Sequence, residues 1–154
     1  MKPIPHRAGF TAIELAVVMG VMLLMVGLTL PAISRSMRKG RLAESVNTFQ
    51  SMHQQAMSAA QQYQMTYGAP GVVQLAIVND TSDKKTFINL RIGASTTSYT
   101  LPTTVEAAND SILYSIGTGL PNTYPPSFQF RTVDGKDQAR IFIAASGLTK
   151  VEAQ

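Results

Sequence analysis

Side chains able to act as nucleophiles, bases or metal ligands are few and scattered along this 154-residue chain. The absence of cysteine removes thiolate zinc sites, iron–sulfur clusters, disulfides and cysteine nucleophiles together. Two histidines, His6 and His53, leave little for a histidine-based metal site or a catalytic triad. The acid pairs Asp80/Asp83 and Asp134/Asp137 each hold too few oxygens by themselves for a hard cation, and both stand in polar stretches that read as turns. No phosphate-cradling Gly-x-x-x-x-Gly-Lys segment occurs. Gly117-Thr118-Gly119 lacks the third glycine and the strand-to-helix setting of a dinucleotide site. The expectation is a chain that is not an enzyme and carries no cofactor and no metal. One carboxylate stands apart. Glu14 sits near the start of an otherwise apolar segment, where an acid at the centre of a membrane helix costs roughly 2.5–3.5 kcal/mol. Such a residue either ends the apolar run at an interface, here beside Arg7, or has a partner and a function.

The element that must carry Glu14 is legible from charge spacing. From Leu15 to Ser34 there are 20 consecutive residues without a charge. As a helix they extend about 30 Å, the thickness of a bilayer's hydrocarbon core. A secretory signal would have an apolar region of ~7–15 residues and then a small-x-small cleavage site. This run is longer and passes without a break into more helix-compatible sequence, so a membrane-spanning helix fits best. Arg35, Arg38, Lys39 and Arg41 follow at once. Charged residues make up only 14% of the chain, against ~25% in an ordinary soluble domain. The net charge of +4 comes from the two ends of the apolar run. Leu42 to Gln154 holds 7 basic and 8 acidic residues, a net of −1, so the basic balance of the whole chain does not report a nucleic-acid-binding face on the body. Counting bases near each end would place the body in the cytoplasm, because Lys2 and Arg7 are outnumbered by the four that follow the run.

The string Gly9-Phe10-Thr11-Ala12-Ile13-Glu14-Leu15, followed by the apolar run with Pro31, closely resembles the N-terminus of type IV prepilins and type II secretion pseudopilins. The ending Ile141-Phe142-Ile143-Ala144-Ala145-Ser146-Gly147 is similar to that of GspH/FimT-type minor pilins. The N-terminal resemblance implies a leader, residues 1–9, removed by a prepilin peptidase between Gly9 and Phe10. It implies N-methylation of the new terminal Phe10. Glu14, fifth in the processed chain, and Pro31, twenty-second, then fall where the family carries an acid and a proline. In such a family Glu14 pairs with the amine of a neighbouring subunit's Phe10 and sets register during assembly. Implied partners are the prepilin peptidase, other pilin or pseudopilin subunits, the inner-membrane assembly platform and the lipid bilayer. The implied location is the bacterial inner membrane, single-pass, with the body in the periplasm, and then a filament. This overrides the orientation given by charge counting.

Beyond the basic cluster, Leu42, Val46, Phe49, Ala56, Ala60, Tyr63 and Tyr67 recur at helical spacing, with His53 filling the gap as a seam residue. Gly68 and Pro70 supply a stop. One nearly continuous helix is expected over residues 10–67, about 87 Å long. It has a transmembrane and assembly half at 10–34 and an amphipathic half at 35–67. Residues 68–154 hold short runs rich in Val, Ile, Phe and Tyr, at Val72–Val78, Thr86–Ile92, Ile112–Ile116, Ser127–Val133 and Gln138–Ala144. Phe128, Phe130 and Thr132 alternate onto one face, and Asp134–Asp137 reads as a hairpin turn. Thr96–Thr104 and Gly117–Pro126 read as loops, and Ser146-Gly147 as the close of the last strand. The fold class is α+β, a long N-terminal helix packed against an antiparallel β-sheet, in a pilin-like arrangement. The helix stripe completes a core that the sheet region is too small to build alone.

Arg35, Arg38, Lys39 and Arg41 read as a collar facing lipid headgroups, or else as an electropositive band on a filament. The resulting expectation is a structural filament subunit, a minor pilin or a pseudopilin. The alternative is a minor pilin that receives DNA or cargo. Some FimT-like pilins bind DNA through a basic C-terminal tail, whereas Leu148–Gln154 holds one lysine and one glutamate. Nucleic acid is therefore the less expected partner.

Overall fold

The computed structural model describes residues 11–67, 71–122 and 127–153, and contains one long helix and two antiparallel sheets. Gly9 and Phe10, the leader, the Gly68/Pro70 stop and the end of the Gly117–Pro126 loop lie outside the described residues. Helix α1 spans Ala12–Tyr67. Its residues belong to two compact units, Met1–Met37 and Arg38–Gln154.

In the first unit, helix formation is local. Ala, Leu and Met are strong helix formers, and the run of Val side chains is tolerated. The large apolar side chains between Ile13 and Ile33 are exposed.

In the second unit, α1 presents a buried row of Leu42, Val46, Phe49, Met52, His53, Ala56 and Ala60. Its other face is polar and exposed, with Gln54, Gln55, Ser58, Gln61 and Gln62. The buried row is the Leu42–Ala60 part of the expected stripe, with Met52 added; the side chain of Tyr67 lies outside the described residues. Tyr63 is half-buried, and Gly71 and Gly93 lie against its ring so closely that a Cβ at either would meet it at 2.1 or 2.8 Å.

Among the described residues, eight strands accompany this row. The first sheet has the order β3-β2-β1-β5, with β1 Val73–Asp80, β2 Lys85–Ile92, β3 Ser95–Thr100 and β5 Asp110–Tyr114. The second has the order β4-β6-β7-β8, with β4 Val105–Ala107, β6 Ser127–Thr132, β7 Gln138–Ile143 and β8 Thr149–Ala153. All pairings are antiparallel. Alternation decides which side chains face inward: Val73, Leu75 and Ile77 from β1, Phe128, Phe130 and Thr132 from β6, and Ala139, Ile141 and Ile143 from β7. Phe49 is fully buried, and its ring centroid lies 4.6 Å from Phe128 and 5.6 Å from Phe130.

The five expected strands are present, but they are divided between two sheets rather than gathered in one. Three further strands were not expected. β3, Ser-Thr-Thr-Ser-Tyr-Thr, lies in the expected loop Thr96–Thr104; it is a polar edge strand held by pairing with β2. β4 is only three residues long and pairs with β6 at distant sequence positions. Ser146-Gly147 does not end the sheet. Gly147 takes a φ of 79°, the chain reverses, and β8 pairs back on β7. β5 begins and ends two residues before the expected run, which leaves Ile116 in the turn that follows.

Candidate functional site: the apolar stem and its cationic exit

Two stretches of α1, one in each unit, hold the residues singled out by sequence. In the first, an 18-residue window reaches a mean hydropathy of 2.4, with none of the window buried. This helix is long and apolar enough to cross a membrane. Thr11 precedes its first turn and Glu14 lies within it. The Glu14 N–H donates to Thr11 Oγ1 at 3.2 Å. In return the Thr11 N–H and hydroxyl donate to Glu14 Oε2 at 2.9 and 3.1 Å. This is a reciprocal capping box, which satisfies amides that an open helix end leaves bare. Glu14 therefore has a partner within its own chain, one that the sequence argument did not name. The pattern Thr-x-x-Glu ahead of an apolar run is the signal that reveals it.

Pro31 lies inside the helix, which is continuous through it. Lacking an N–H, it leaves the Gly27 carbonyl without its usual donor four residues on. Nearby hydroxyls turn back onto the helix: Thr29 donates to the Met25 carbonyl at 3.0 Å, and Ser34 to that of Leu30 at 3.0 Å. Nothing lies within 4 Å of a Cβ built on Gly20 or Gly27, so both leave open space on the stem surface.

The basic cluster is split. Arg35 and Arg41 are exposed, with no ion-pair partner among the described residues. Arg38 and Lys39 instead face the β6–β7 turn. Arg38 Nε is 3.6 Å from Asp134 Oδ2, and Lys39 Nζ is 3.4 Å from Asp137 Oδ1. Arg38 Nε is buried and makes no hydrogen bond. The Asp134 carboxyl is held below its ordinary range, first by the Thr132 hydroxyl at 2.7 Å, with the Arg38 guanidinium adding to the effect. Asp134 and Asp137 thus act as turn residues and counter-ions. Among the described residues no group of three or more acids or histidines is placed to hold a metal ion.

His53, 1% exposed, is a buried polar residue of the stripe. Its Nε2 lies 2.8 Å from the Gly147 carbonyl, which can only accept, so Nε2 carries the proton. Its Nδ1 then accepts from the Tyr114 hydroxyl at 2.6 Å. Burial keeps the His53 pKa below its ordinary value and pushes that of Tyr114 well up, so the histidine stays neutral and the tyrosine stays a donor. The residue is a tie from α1 to β5 and to the β7–β8 turn. The sequence marked it as a seam residue but offered no sign of either partner.

No family model matches the chain, and no curated protein or solved structure matches it either.

Proposed function

We propose that this chain is a non-enzymatic subunit of a type IV pilus or type II secretion filament, a minor pilin or pseudopilin, made as a membrane-anchored precursor. The single observation that carries the proposal is an exposed apolar stem with one carboxylate in its first turn. An apolar surface of that length needs lipid or other helices, and packing against sibling stems satisfies it once the chain leaves the bilayer. The Gly9–Phe10 junction, Glu14 and Pro31 support the same reading through their spacing. In this reading the peptidase frees the Phe10 amine, which is then methylated. Glu14 exchanges its cap on Thr11 for that amine on a neighbour, and the pairing sets register between stems. Open surface at Gly20 and Gly27 favours close helix approach. Arg35 and Arg41 are left for headgroups, and the sheet-bearing unit stands outside the membrane.

The experiment is N-terminal mass analysis of the chain from cells with and without the prepilin peptidase, alongside Glu14→Ala. Expected results are cleavage after Gly9 only where the peptidase is present, and normal processing of the variant with loss of filament incorporation. A chain that keeps its first nine residues in competent cells, or a variant that still incorporates, counts against the proposal.

A further inference from the structure

The second unit holds a polar cleft of about 530 Å³ between the β1–β2 turn of one sheet and strands β4 and β6 of the other. Its size is in the range of small-ligand pockets. Its floor is tied across the two sheets by one side chain. Asn79 accepts from the Thr86 hydroxyl at 2.7 Å and donates through Nδ2 to the Ala107 carbonyl at 3.0 Å. Its backbone N–H donates to Asn109 Oδ1 at 2.7 Å. The cleft is therefore formed before any ligand arrives.

The lining carries three cations, Lys84, Lys85 and Arg131, and two carboxylates, Asp80 and Glu106. Both carboxylates are committed through one oxygen each. Asp80 Oδ1 takes the Ser82 N–H and hydroxyl, and Glu106 Oε2 takes Arg131 Nε and Nη2 at 3.1 and 3.0 Å. Each leaves a second oxygen for an incoming donor. Lys85 pairs with Asp83 at 3.1 Å, whereas Lys84 has no partner among the described residues.

Lys84 is also the informative residue for backbone reasons. Five glycines, Gly93, Gly117, Gly119, Gly135 and Gly147, take positive φ, and Lys84, at φ 52°, is the one non-glycine to do so among the described residues. A side chain there is unfavourable for the fold, and glycine would relieve it. The chain holds an unpaired ammonium on the rim of a polar cleft at a position that favours glycine. Such an exchange of stability for chemistry marks functional positions.

From this combination we propose that the cleft is a binding site for a small hydroxylated anion, a sugar acid free or as the repeating unit of an acidic glycan. Lys84, with Lys85 and Arg131, takes the carboxylate, and the free oxygens of Asp80 and Glu106 accept ligand hydroxyls. Apart from Ala107 and Ala108, the lining residues are polar or charged. The proposal is independent of how the stem assembles.

The test is titration calorimetry on the full chain in detergent micelles with D-galacturonate, trigalacturonate, D-glucose and inorganic phosphate. Binding of either uronate, with glucose and phosphate weaker by about tenfold or more, is expected. Equal affinity per site for monomer and trimer identifies the free acid as the source, and preference for the trimer identifies the glycan. Lys84→Gly is expected to weaken the uronate by about tenfold or more while raising Tm by about 3 °C. Lys84→Asn, which also tolerates this φ, should lose binding without the full gain in Tm. No uronate binding up to about 10 mM, equally good binding of glucose or phosphate, or unchanged affinity in both variants would overturn the proposal.

Discussion

The two ends of helix α1 are built from similar backbone and meet opposite fates. Between Ile13 and Ile33 apolar side chains occur all round the helix, and those of the large residues are exposed. Between Leu42 and Ala60 they form one stripe, and that stripe is buried against sheets made by the same chain. The difference teaches where each half finds its partner. A one-sided stripe can be covered by a folded domain. An all-round apolar surface can be covered only by lipid or by several neighbours.

The sharpest way to break the comparison is to truncate one apolar residue in each half. Phe49→Ala should destabilise the second unit by about 3–5 kcal/mol, because it empties the space against Phe128 and Phe130. Leu24→Ala, on the exposed stem, should leave the same denaturation midpoint within about 0.5 kcal/mol. Thermal or urea unfolding of both variants in detergent, followed by near-UV circular dichroism, makes the measurement. Similar losses in the two would show that the exposed side chains of the stem contribute to folding stability as the buried stripe does.

A smaller effect tests the buried polar tie. Tyr114→Phe removes the donor to His53 Nδ1 and should cost about 1–3 kcal/mol, since a buried acceptor is left without a partner. Acid should act on the same group. The folded pKa of His53 lies below the unfolded one, so the unfolded chain takes up the proton first. Stability is then fully present above about pH 6.5 and falls as pH drops from there toward the folded value. His53→Gln should flatten that slope in a series of melts between pH 7.5 and pH 5, and an unchanged slope would remove His53 as its cause.

The smallest expected change is at the cationic exit. Lys39→Ala breaks a pair whose lysine is more than half exposed, and should cost less than about 1 kcal/mol, with the remainder screened by salt. A larger loss in a melt would show that the β6–β7 turn depends on the helix for its position.

Much of the helix and its buried stripe was legible because both depend on near-neighbour spacing. Leu42, Val46, Phe49, His53, Ala56 and Ala60 announce one face by their steps of three and four. The hairpins β1–β2 and β6–β7 were legible for a similar reason, since polar turns separate runs with apolar faces. Strands β3, β4 and β8 were not. Ser95–Thr100 has no apolar face, Val105–Ala107 is too short to show a period, and Thr149–Ala153 is largely exposed. Each becomes a strand because a neighbour's backbone groups require partners. In the stem, Glu14 stands out as a costly charge, and the Thr-x-x-Glu spacing of its cap on Thr11 is equally local.

By itself, the sequence determined the long helix, the apolar stretch that is able to cross a membrane, the stripe and the absence of cysteine chemistry. These follow from composition and from periods of a few residues. Tertiary structure alone decided that the strands form two sheets, that Arg38 and Lys39 turn to Asp134 and Asp137, and that His53 is held by Tyr114 and Gly147. It also brought Lys84 to a cleft shared with Glu106 and Arg131. Those pairings join residues tens of positions apart, and no local spacing encodes which distant groups will meet once the core has closed.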